Sequence, residues 1–285
     1  MIHNMTSIGI DLGGTNVRAG LVKDGQIIKS SSIRIAGLTT QEEVFDRIYN
    51  CIDELDPAGS ASIGIGVPSI VDPKRGIVYD TVNIPSWKEV PCKEILEARY
   101  GLPVWVNNDA NCFALGEKYY GKGIDCDNLV GVTVGTGLGT GIVIGGRLFN
   151  GAHCGAGEIG YIGYKDVHFE HYASGQYFMH VHQKTGEECL ALARSGDKTA
   201  EAIFHQYGLH LGQALLAIVY AYDPELIVLG GSVSQAFSFF QQRLWESLRG
   251  SMFPHALKDL RIEYSTIKDV AILGASLLNK DRQLF

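Results

Sequence analysis

The sequence contains 285 residues, of which 46% are hydrophobic and 19% are charged, a composition that is typical of globular proteins and excludes a disordered chain. Its length is near the upper limit for a single hydrophobic core and predicts one large or two closely joined domains. A formal net charge of −7 disfavours a nucleic-acid partner. The sequence shows neither a signal-peptide pattern nor a membrane helix, and its six cysteines form no C-x-x-C pair. We therefore expect reduced thiols, a cytoplasmic location and no membrane partner.

The first part of the chain predicts a mixed sheet with flanking helices. Alternating apolar residues and glycine turns indicate strands over 7–10, 17–22, 26–28, 62–67 and 104–106. Apolar residues at helical spacing predict a surface helix over 41–55 and a second helix over 110–120. The polar run Asn107–Asn108–Asp109 therefore lies between the end of a buried strand and the start of a helix.

The opening pattern occurs a second time, because Val130–Gly137 can be aligned with Ile8–Thr15, 122 residues earlier. In both places a glycine-rich turn joins two apolar strands. A spacing of this size is too long for a solenoid repeat and is typical of two homologous half-domains, each with a glycine hairpin that faces a shared cleft. A chance likeness between two glycine-rich hairpins is the alternative.

The second half of the chain alternates helical and strand patterns. They predict, in chain order, a long helix over 199–222, a buried strand over 226–229, a turn at Gly230–Gly231–Ser232 and a terminal helix over 270–278. The long helix is expected to end at Asp223, because Pro224 cannot continue a helix.

The two glycine hairpins carry groups that suit phosphate binding. Glycines let backbone N–H groups approach phosphate oxygens closely, and Thr15 adds a hydroxyl donor. Asp11 ends the first strand, where a carboxylate can hold Mg²⁺ through water or orient the phosphates. A purely structural hairpin is the alternative for each motif, and it is weakened because the chain has two of them.

Three acidic residues are candidates for catalysis or sugar recognition. Asp109 can act as a general base in phosphoryl transfer or, alternatively, as the N-cap of the following helix, and Asn108 beside it can hydrogen-bond a polyol. Glu158 and Glu170 lie in surroundings that suit bidentate recognition of neighbouring sugar hydroxyls. As lone features, such acids are more often solvated surface charges.

In their order along the chain, these motifs resemble those of the ROK family of sugar kinases and repressors, within the actin-like ATPase superfamily. The resemblance covers nearly the whole chain and includes Gly64–Asp72 and Asn107–Asn111. It implies an α/β fold of two actin-like, ribonuclease H-like half-domains around an inter-domain cleft. The small domain would comprise residues 1–112 and a C-terminal helix over 270–285, and the large domain residues 113–269.

The resemblance also implies which residues form the sites. The implied ATP and phosphate residues are Gly9, Asp11, Gly13, Gly14, Thr15, Asn16, Arg18, Gly135, Thr136, Gly137, Gly139, Gly230, Gly231 and Ser232. The implied sugar-binding residues are Ser69, Asn83, Asn108, Asp109, Glu158, Tyr161 and Glu170. Asp109 is the implied catalytic base, and Asp11 is expected to hold Mg²⁺ indirectly.

Two departures from the family pattern change these expectations. Family members usually have a histidine after Glu-x-Gly and then a cysteine-rich stretch that binds structural zinc, whereas here Tyr161 takes the histidine position and residues 163–170 contain no cysteine. The histidines between residues 168 and 182 match no standard zinc spacing, so we expect no zinc site and expect Tyr161 to contact the sugar. The first phosphate motif begins at residue 9, so we also expect no helix-turn-helix domain and no role as a transcription factor.

The activity that the resemblance implies is an ATP-dependent hexose kinase, with Mg²⁺, that phosphorylates the sugar 6-hydroxyl of glucose in carbohydrate metabolism. Kinases of N-acetylmannosamine, N-acetylglucosamine, fructose or a β-glucoside are the nearest alternatives, since only the sugar pocket discriminates among them. A sugar-sensing regulator without turnover and an actin-like ATPase or chaperone are alternatives from other classes. The family further implies a homodimer.

Overall fold

A computed structural model describes residues 6–282 and divides the chain into two compact α/β units. The first unit contains the described parts of 1–124, 147–156 and 267–285. The second unit contains residues 125–146 and 157–266. The chain therefore passes between the units more than once.

Strands and helices alternate along most of the chain. In chain order, the strands are β1 Ser7–Leu12, β2 Asn16–Lys23, β3 Gln26–Arg34, β4 Ile63–Val67, β5 Ile70–Asp72, β6 Ile77–Tyr79, β7 Glu89–Val90, β8 Val104–Asn108, β9 Leu129–Val134, β10 Leu138–Ile144, β11 Arg147–Leu148, β12 Gly163–Tyr164, β13 Val167–His168, β14 Leu226–Gly230 and β15 Arg261–Tyr264. The α-helices are α1 Gln41–Asp53, α2 Cys92–Tyr100, α3 Asp109–Tyr120, α4 Phe169–Ala173, α5 Gly175–His182, α6 Gly186–Arg194, α7 Lys198–Tyr222, α8 Phe237–Leu248, α9 Val270–Ala275 and α10 Leu278–Arg282. Short 3₁₀ helices span Ile159–Tyr161, Ser232–Ala236 and Pro254–Leu257.

The main sheet of the first unit has the strand order β3-β2-β1-β4-β8. The first three strands are antiparallel, whereas β1, β4 and β8 run parallel to one another. In this register Asp11 pairs with Gly66, and Val67 pairs with Asn108. The carboxyl ends of three strands therefore meet at one edge, where Asp11 and the start of α3 both lie.

Alternation along β1 and β4 gives this sheet two different faces. Ile8 and Ile10 are fully buried in the core that also contains the apolar side of α1. Gly9 and Gly64 face α9 instead: a Cβ on Gly9 would lie 1.9 Å from the Ile272 carbonyl oxygen, and one on Gly64 would lie 1.8 Å from that of Ala275. Because no side chain fits at these two positions, the backbone of α9 packs directly on the backbone of the sheet.

In the second unit, β10, β9, β14 and β15 lie side by side in that order, and the last three are parallel. β14 is buried along its whole length, as expected of a strand covered on both faces. The long helix α7 begins after Asp197, whose side chain accepts a hydrogen bond from the Ala200 N–H at 2.9 Å. It ends at Asp223, which has a left-handed backbone (φ 45°), before Pro224.

Both units contain a glycine hairpin, as the internal repeat predicted. In each unit the first strand of the hairpin also pairs in parallel with a later buried strand, which the repeat did not predict. The division between the units nevertheless lies further along the chain than residues 112 and 113. That predicted boundary falls within α3, which packs on α9 so closely that a Cβ on Gly274 would lie 1.7 Å from the Cys112 carbonyl oxygen. The whole of α3 therefore belongs to the first unit. The predicted helix over 270–278 is also interrupted, because α9 ends at Ala275 and α10 begins at Leu278.

All six cysteines are buried in the structure. Burial raises the pKa of the Cys92 thiol to about 12, so this thiol stays protonated at neutral pH. Within residues 6–282, no helix is both long enough and apolar enough to cross a membrane.

His210 is a buried histidine of α7 with only 3% of its surface exposed. Its Nδ1 lies 3.0 Å from the Tyr164 hydroxyl oxygen. Burial, with a smaller effect of the Lys165 charge, lowers the pKa of His210 to about 4. In the unfolded chain, the pKa of a histidine is about 6.5. Between this pH and the folded-state pKa, the unfolded state binds a proton that the folded state does not bind. The free energy of unfolding therefore falls as the pH falls through this range.

The substitution His210→Gln should remove this pH-dependent component, which reaches at most about 1.4 kcal/mol per pH unit. We expect the difference in unfolding free energy between wild type and variant, measured by urea denaturation, to shrink as the pH is lowered from about 7 to about 4.5. The exposed His205 lies on the same helix, and His205→Gln is the matched control. A difference that stays constant with pH for both variants would contradict the assignment.

Candidate functional site

The first glycine hairpin joins β1 to β2. A hydrogen bond from the Gly13 N–H to the Asn16 carbonyl oxygen closes its turn at 3.0 Å. A Cβ on Gly14 would lie 2.6 Å from the Asn83 Cβ, so the structure brings the hairpin into contact with one of the predicted sugar residues. Gly9, in contrast, lies in the middle of β1 and faces α9. It is a packing residue, and the structure does not bring it to the hairpin turn.

Asp11 and Arg18 face each other across this hairpin, because they pair in the register of β1 and β2. The Arg18 guanidinium donates hydrogen bonds to the Asp11 carboxylate and, at 2.7 Å, to Oδ1 of Asp269. Asp269 lies directly before α9 and is absent from the residues that the sequence predicted. Since 251 positions separate it from Arg18, no local pattern in the sequence connects the two.

The start of α3 shows which residue caps the helix. Asn108 is the N-cap, and its Oδ1 accepts hydrogen bonds from the N–H groups of Ala110 at 2.9 Å and Asn111 at 3.3 Å. Asp109 is the first helical residue, and its Oδ1 also accepts from the Ala110 N–H, at 2.8 Å. The N-cap position therefore belongs to Asn108, and the alternative interpretation of Asp109 as the cap is wrong.

Asn108 is also linked to the predicted sugar residue Ser69. Its Nδ2 donates to the Ser69 carbonyl oxygen at 3.4 Å, while the Ser69 hydroxyl donates to the carbonyl oxygen of Tyr79. The structure thus brings Ser69, Asn108 and Asp109 together at the carboxyl ends of β4 and β8.

A buried network of amide side chains supports this edge. Oδ1 of Asn107 accepts from the Asn108 N–H at 2.8 Å and from Nδ2 of Asn111 at 2.9 Å, and Nδ2 of Asn107 donates to Oδ1 of Asn150 at 3.0 Å. Asn107 and Asn111 are 5% and 1% exposed. These side chains fix the backbone on both sides of Asp109. The local sequence indicated the run of asparagines but not the participation of Asn150, which lies 43 positions from Asn107.

Asp11 and Asp109 lie around the same buried thiol. Burial raises the pKa of Cys112 well above the usual range, and the negative charges of Asp109, Asp11 and Cys154 raise it further, in that order. The first unit therefore brings together the two carboxylates to which the sequence assigned catalysis and metal binding.

The Asp11 carboxylate is suited to Mg²⁺, which is usually held in kinases by one or two carboxylates together with waters and substrate phosphates. Its oxygens are the hard donors that this ion prefers. Within the described part of the chain, no group of three or more His, Cys, Asp or Glu side chains could hold a metal ion. Asp11 therefore fits a magnesium ion that takes its other ligands from water and from a bound phosphate.

The second glycine hairpin joins β9 to β10. The Gly135 N–H donates to the Gly137 carbonyl oxygen at 3.0 Å and so closes the turn. The start of α5 braces it, because the Gly175 N–H donates to the Gly135 carbonyl oxygen at 2.7 Å and the Ser174 hydroxyl donates to that of Thr136 at 3.1 Å. Gly139 lies within β10, paired with Thr133, beyond the turn itself.

Glu170 also braces this hairpin. Its Oε2 accepts from the Leu138 N–H at 2.9 Å, and its Oε1 accepts from Nε2 of Gln176 at 2.9 Å. A Cβ on Gly137 would lie 2.6 Å from Oε2 of Glu170, so a side chain there would displace the carboxylate. Each carboxylate oxygen can still accept a further hydrogen bond.

The three predicted sugar residues of the second unit lie close to one another. Partial burial and the Glu170 carboxylate raise the pKa of Glu158, which precedes the 3₁₀ helix Ile159–Tyr161. The Glu170 charge, followed by burial and the Glu158 charge, raises the pKa of the Tyr161 hydroxyl. The ring of Tyr161 is 61% exposed and lies 5.6 Å from the ring of His168. Two carboxylates and one exposed aromatic ring are therefore available in one place to bind a polar ligand.

A cavity of about 460 Å³ lies beside the second hairpin, within the size range of small-molecule sites. Gly230 ends β14, and Gly231, with φ of 83°, has no room for a Cβ, which would lie 2.3 Å from the Val134 carbonyl oxygen. This close turn carries Ser232 into the cavity. The residues that line the cavity are Gly135, Thr136, Gly175, Gln176, Met179, His180, Thr185, Gly186, Glu187, Leu190, Phe204, Ser232, Val233, Gln235 and Ala236. The lining residues that α5 and α6 contribute are absent from the site residues that the sequence predicted.

Comparison with known sequences supports the family resemblance that the motifs indicate. The sequence profile of the ROK family matches residues 7–282. A glucokinase of Thermotoga maritima is 30% identical over 96% of this chain and 97% of its own length. A xylose repressor of Caldicellulosiruptor bescii is 28% identical over 93% of this chain and 75% of its own length. Other relatives of similar identity are named as β-glucoside kinases.

Comparison with solved structures extends the likeness to the whole fold. A ROK family glucokinase from Streptomyces griseus, solved in complex with glucose and AMPPNP, is 28% identical and has a TM-score of 0.83. The match covers 98% of this chain and 99% of that one. The fold is therefore that of the actin-like ROK sugar kinases, as the sequence predicted.

The substitution Glu170→Gln should loosen the second hairpin, because an amide cannot accept through both of its terminal atoms. Loss of a hydrogen bond to a charged group costs about 1.5–3 kcal/mol, so we expect exchange of the Leu138 amide proton, followed by NMR, to become about tenfold faster or more. The control Glu158→Gln removes a neighbouring negative charge and leaves in place the Glu170 carboxylate, which accepts from the Leu138 N–H. Equal exchange rates in the two variants would contradict the bracing role of Glu170.

Proposed function

Because the chain belongs to the ROK family, we propose that it is an ATP-dependent hexose kinase that phosphorylates the sugar 6-hydroxyl, with glucose as the substrate. The glucokinase among its relatives supports the sugar, and the solved glucokinase with bound glucose and AMPPNP supports ATP as the donor. The position of Asp109 carries the proposal. It stands at the same edge of the sheet as Asp11: Asp11 pairs with Gly66, and a Cβ on Gly66 would lie 3.3 Å from the Asp109 Cα. Asn108 provides the helix cap.

In the proposed reaction, Asp109 acts as the general base. The sugar hydroxyl oxygen attacks the γ-phosphorus of ATP in line, and a bond forms between these two atoms. The bond from the γ-phosphorus to the β–γ bridging oxygen breaks, ADP leaves with that oxygen, and the Asp109 carboxylate takes the hydroxyl proton. A bound Mg²⁺ supplies neutralisation of the phosphate charges, and Asp11 would hold it through water.

Each unit, taken by itself, contains groups that are suited to part of a nucleotide. In the second unit, the cavity beside Gly135 and Thr136 suits the adenosine, and the N–H groups of the hairpin suit the phosphate oxygens. In the first unit, Gly13–Asn16 and Arg18 supply backbone donors, a hydroxyl and a positive charge for the phosphates.

Each unit also contains groups that are suited to a sugar. Asn83 and Asn108 of the first unit provide amide groups, and Ser69 supports Asn108 through its carbonyl oxygen. Glu158 and Glu170 of the second unit provide carboxylates that accept from neighbouring hydroxyls. The exposed ring of Tyr161 can pack on the apolar face of a sugar ring, which is how this residue would replace a histidine.

A sugar-sensing regulator without turnover is the alternative of a different class, and the repressor among the relatives keeps it in consideration. The acidic net charge and the position of Asp109 support the kinase instead. The proposal further includes action in the cytoplasm, as a homodimer, without a zinc ion and without a nucleic-acid partner.

A coupled ADP-release assay with Mg-ATP and a panel of sugars tests this proposal directly. We expect glucose to give the highest kcat/KM among glucose, mannose, fructose, N-acetylglucosamine, N-acetylmannosamine and a β-glucoside. A clear preference for another sugar of the panel would contradict glucose specificity and keep the kinase. No ADP release above the sugar-free rate with any of them would contradict the kinase.

The substitution Asp109→Asn should lower kcat by about 10²–10⁴ while sugar affinity stays largely unchanged, because it removes general-base assistance. Steady-state kinetics and direct sugar binding measure the two effects. Asp197→Asn is the matched control, because Asp197 is an N-cap and asparagine caps a helix equally well. Near-normal kcat in Asp109→Asn would exclude Asp109 as the base.

A further inference from the structure

The Arg18 guanidinium is held from two directions. Its Nη2 donates to Oδ2 of Asp11, and its Nη1 donates to Oδ1 of Asp269 at 2.7 Å. The two carboxylates thus use different nitrogens of one planar group. The Arg18 side chain remains 44% exposed, whereas those of Asp11 and Asp269 are only 14% and 18% exposed. The carboxylates fix the plane of the guanidinium, and its exposed part can still bind another anion.

The position of Asp269 is itself fixed by the fold. Its carbonyl oxygen accepts from the N–H groups of Ile272 at 3.0 Å and Leu273 at 3.3 Å, in the first turn of α9. α9 is in turn held against β1 and β4 where Gly9 and Gly64 leave no room for a side chain. A carboxylate at this point therefore has little freedom to move away from Arg18.

The side chain of Asp269 does not cap α9, although the residue stands at the N-cap position. Its backbone is left-handed, with φ of 55°, a conformation that aspartate and asparagine tolerate better than most residues. The residue type is therefore suited to the turn, while the carboxylate is directed to Arg18 rather than to the helix.

We propose that Asp269 is a positioning residue of the nucleotide site, which holds the Arg18 guanidinium beside Asp11 in the orientation that binds a nucleotide phosphate. This inference rests on the proposed function and adds a residue to it. Partly exposed ion pairs contribute little to the free energy of unfolding. The contact with Asp269 therefore matters for the orientation of the Arg18 guanidinium rather than for stability. A small displacement of a phosphate-binding group is enough to weaken binding and catalysis strongly.

The test is a double-mutant cycle on Asp269→Asn and Arg18→Met, with Mg-ADP affinity measured by titration calorimetry in the absence of sugar. Asparagine keeps the left-handed turn and removes only the charge. We expect Asp269→Asn to weaken Mg-ADP binding and to raise the KM for ATP by about three- to tenfold, with the KM for sugar unchanged. In the Arg18→Met background the same change should have no further effect, because the residue acts through Arg18.

Asp56→Asn is the matched control, because Asp56 is an exposed aspartate of the same unit with a left-handed backbone, φ 59°. It should leave every one of these constants unchanged. If Arg18→Met does not fold, Arg18→Lys provides the second background, since one ammonium group cannot donate to both carboxylates through separate nitrogens.

Mg-ADP affinity and ATP KM of Asp269→Asn equal to those of the wild type would overturn the inference. So would an equal effect of Asp269→Asn with and without Arg18, because the contact would then not act through the guanidinium. A wild type that binds Mg-ADP but phosphorylates no sugar would contradict only the proposed kinase activity, and the cycle would still decide the role of Asp269. A wild type that binds no Mg-ADP would overturn both.

Discussion

The first unit depends on one constraint, the approach of α9 to its neighbours at backbone distance. Gly9 and Gly64 admit the carbonyl groups of α9, and Gly274 admits that of Cys112 in α3. A side chain at any of these positions would require the helix to move, because a close-packed interior has no space to absorb it. The positions of Asp11 at the end of β1, of Asp109 at the start of α3 and of Asp269 before α9 all follow from this contact. Gly9, Gly64 and Gly274 thus act by packing, because the atom nearest to a Cβ at each of them belongs to the backbone of α9 or α3.

The candidate site is built largely from side chains that hold other side chains. Asn108 caps α3, Asn107 fixes the backbone beside Asp109, and Glu170 holds the second hairpin through the Leu138 N–H. Such contacts restrict the reacting groups before any ligand arrives, which reduces the entropy that must be lost in the transition state. The family resemblance implies that Asn108 and Glu170 bind the sugar, and the structure adds that both already have a structural partner.

Local patterns in the sequence predicted most strands, the long helix α7 and both glycine hairpins, because alternation and turn residues act over a few positions. They could not assign the cap of α3, since asparagine and aspartate are equally good caps and only the geometry distinguishes them. Gly9 was associated with phosphate because it adjoins the hairpin motif, but alternation along β1 turns it toward α9. Asp269 and Asn150 were missed because their partners are distant in sequence.

Glu170 has a consequence for how the two proposed substrates influence each other. Its carboxylate accepts a hydrogen bond from the Leu138 N–H of the second hairpin, and its charge affects Glu158 and Tyr161, the proposed sugar-binding groups. A sugar hydroxyl that donates to Glu170 would compete with the Leu138 N–H for the carboxylate and restrict the freedom of a group on which the hairpin depends. Such coupling is reciprocal by thermodynamic linkage: the factor by which bound sugar changes nucleotide affinity equals the factor by which bound nucleotide changes sugar affinity. In the second unit, Glu170 would thus couple the binding of the two proposed substrates.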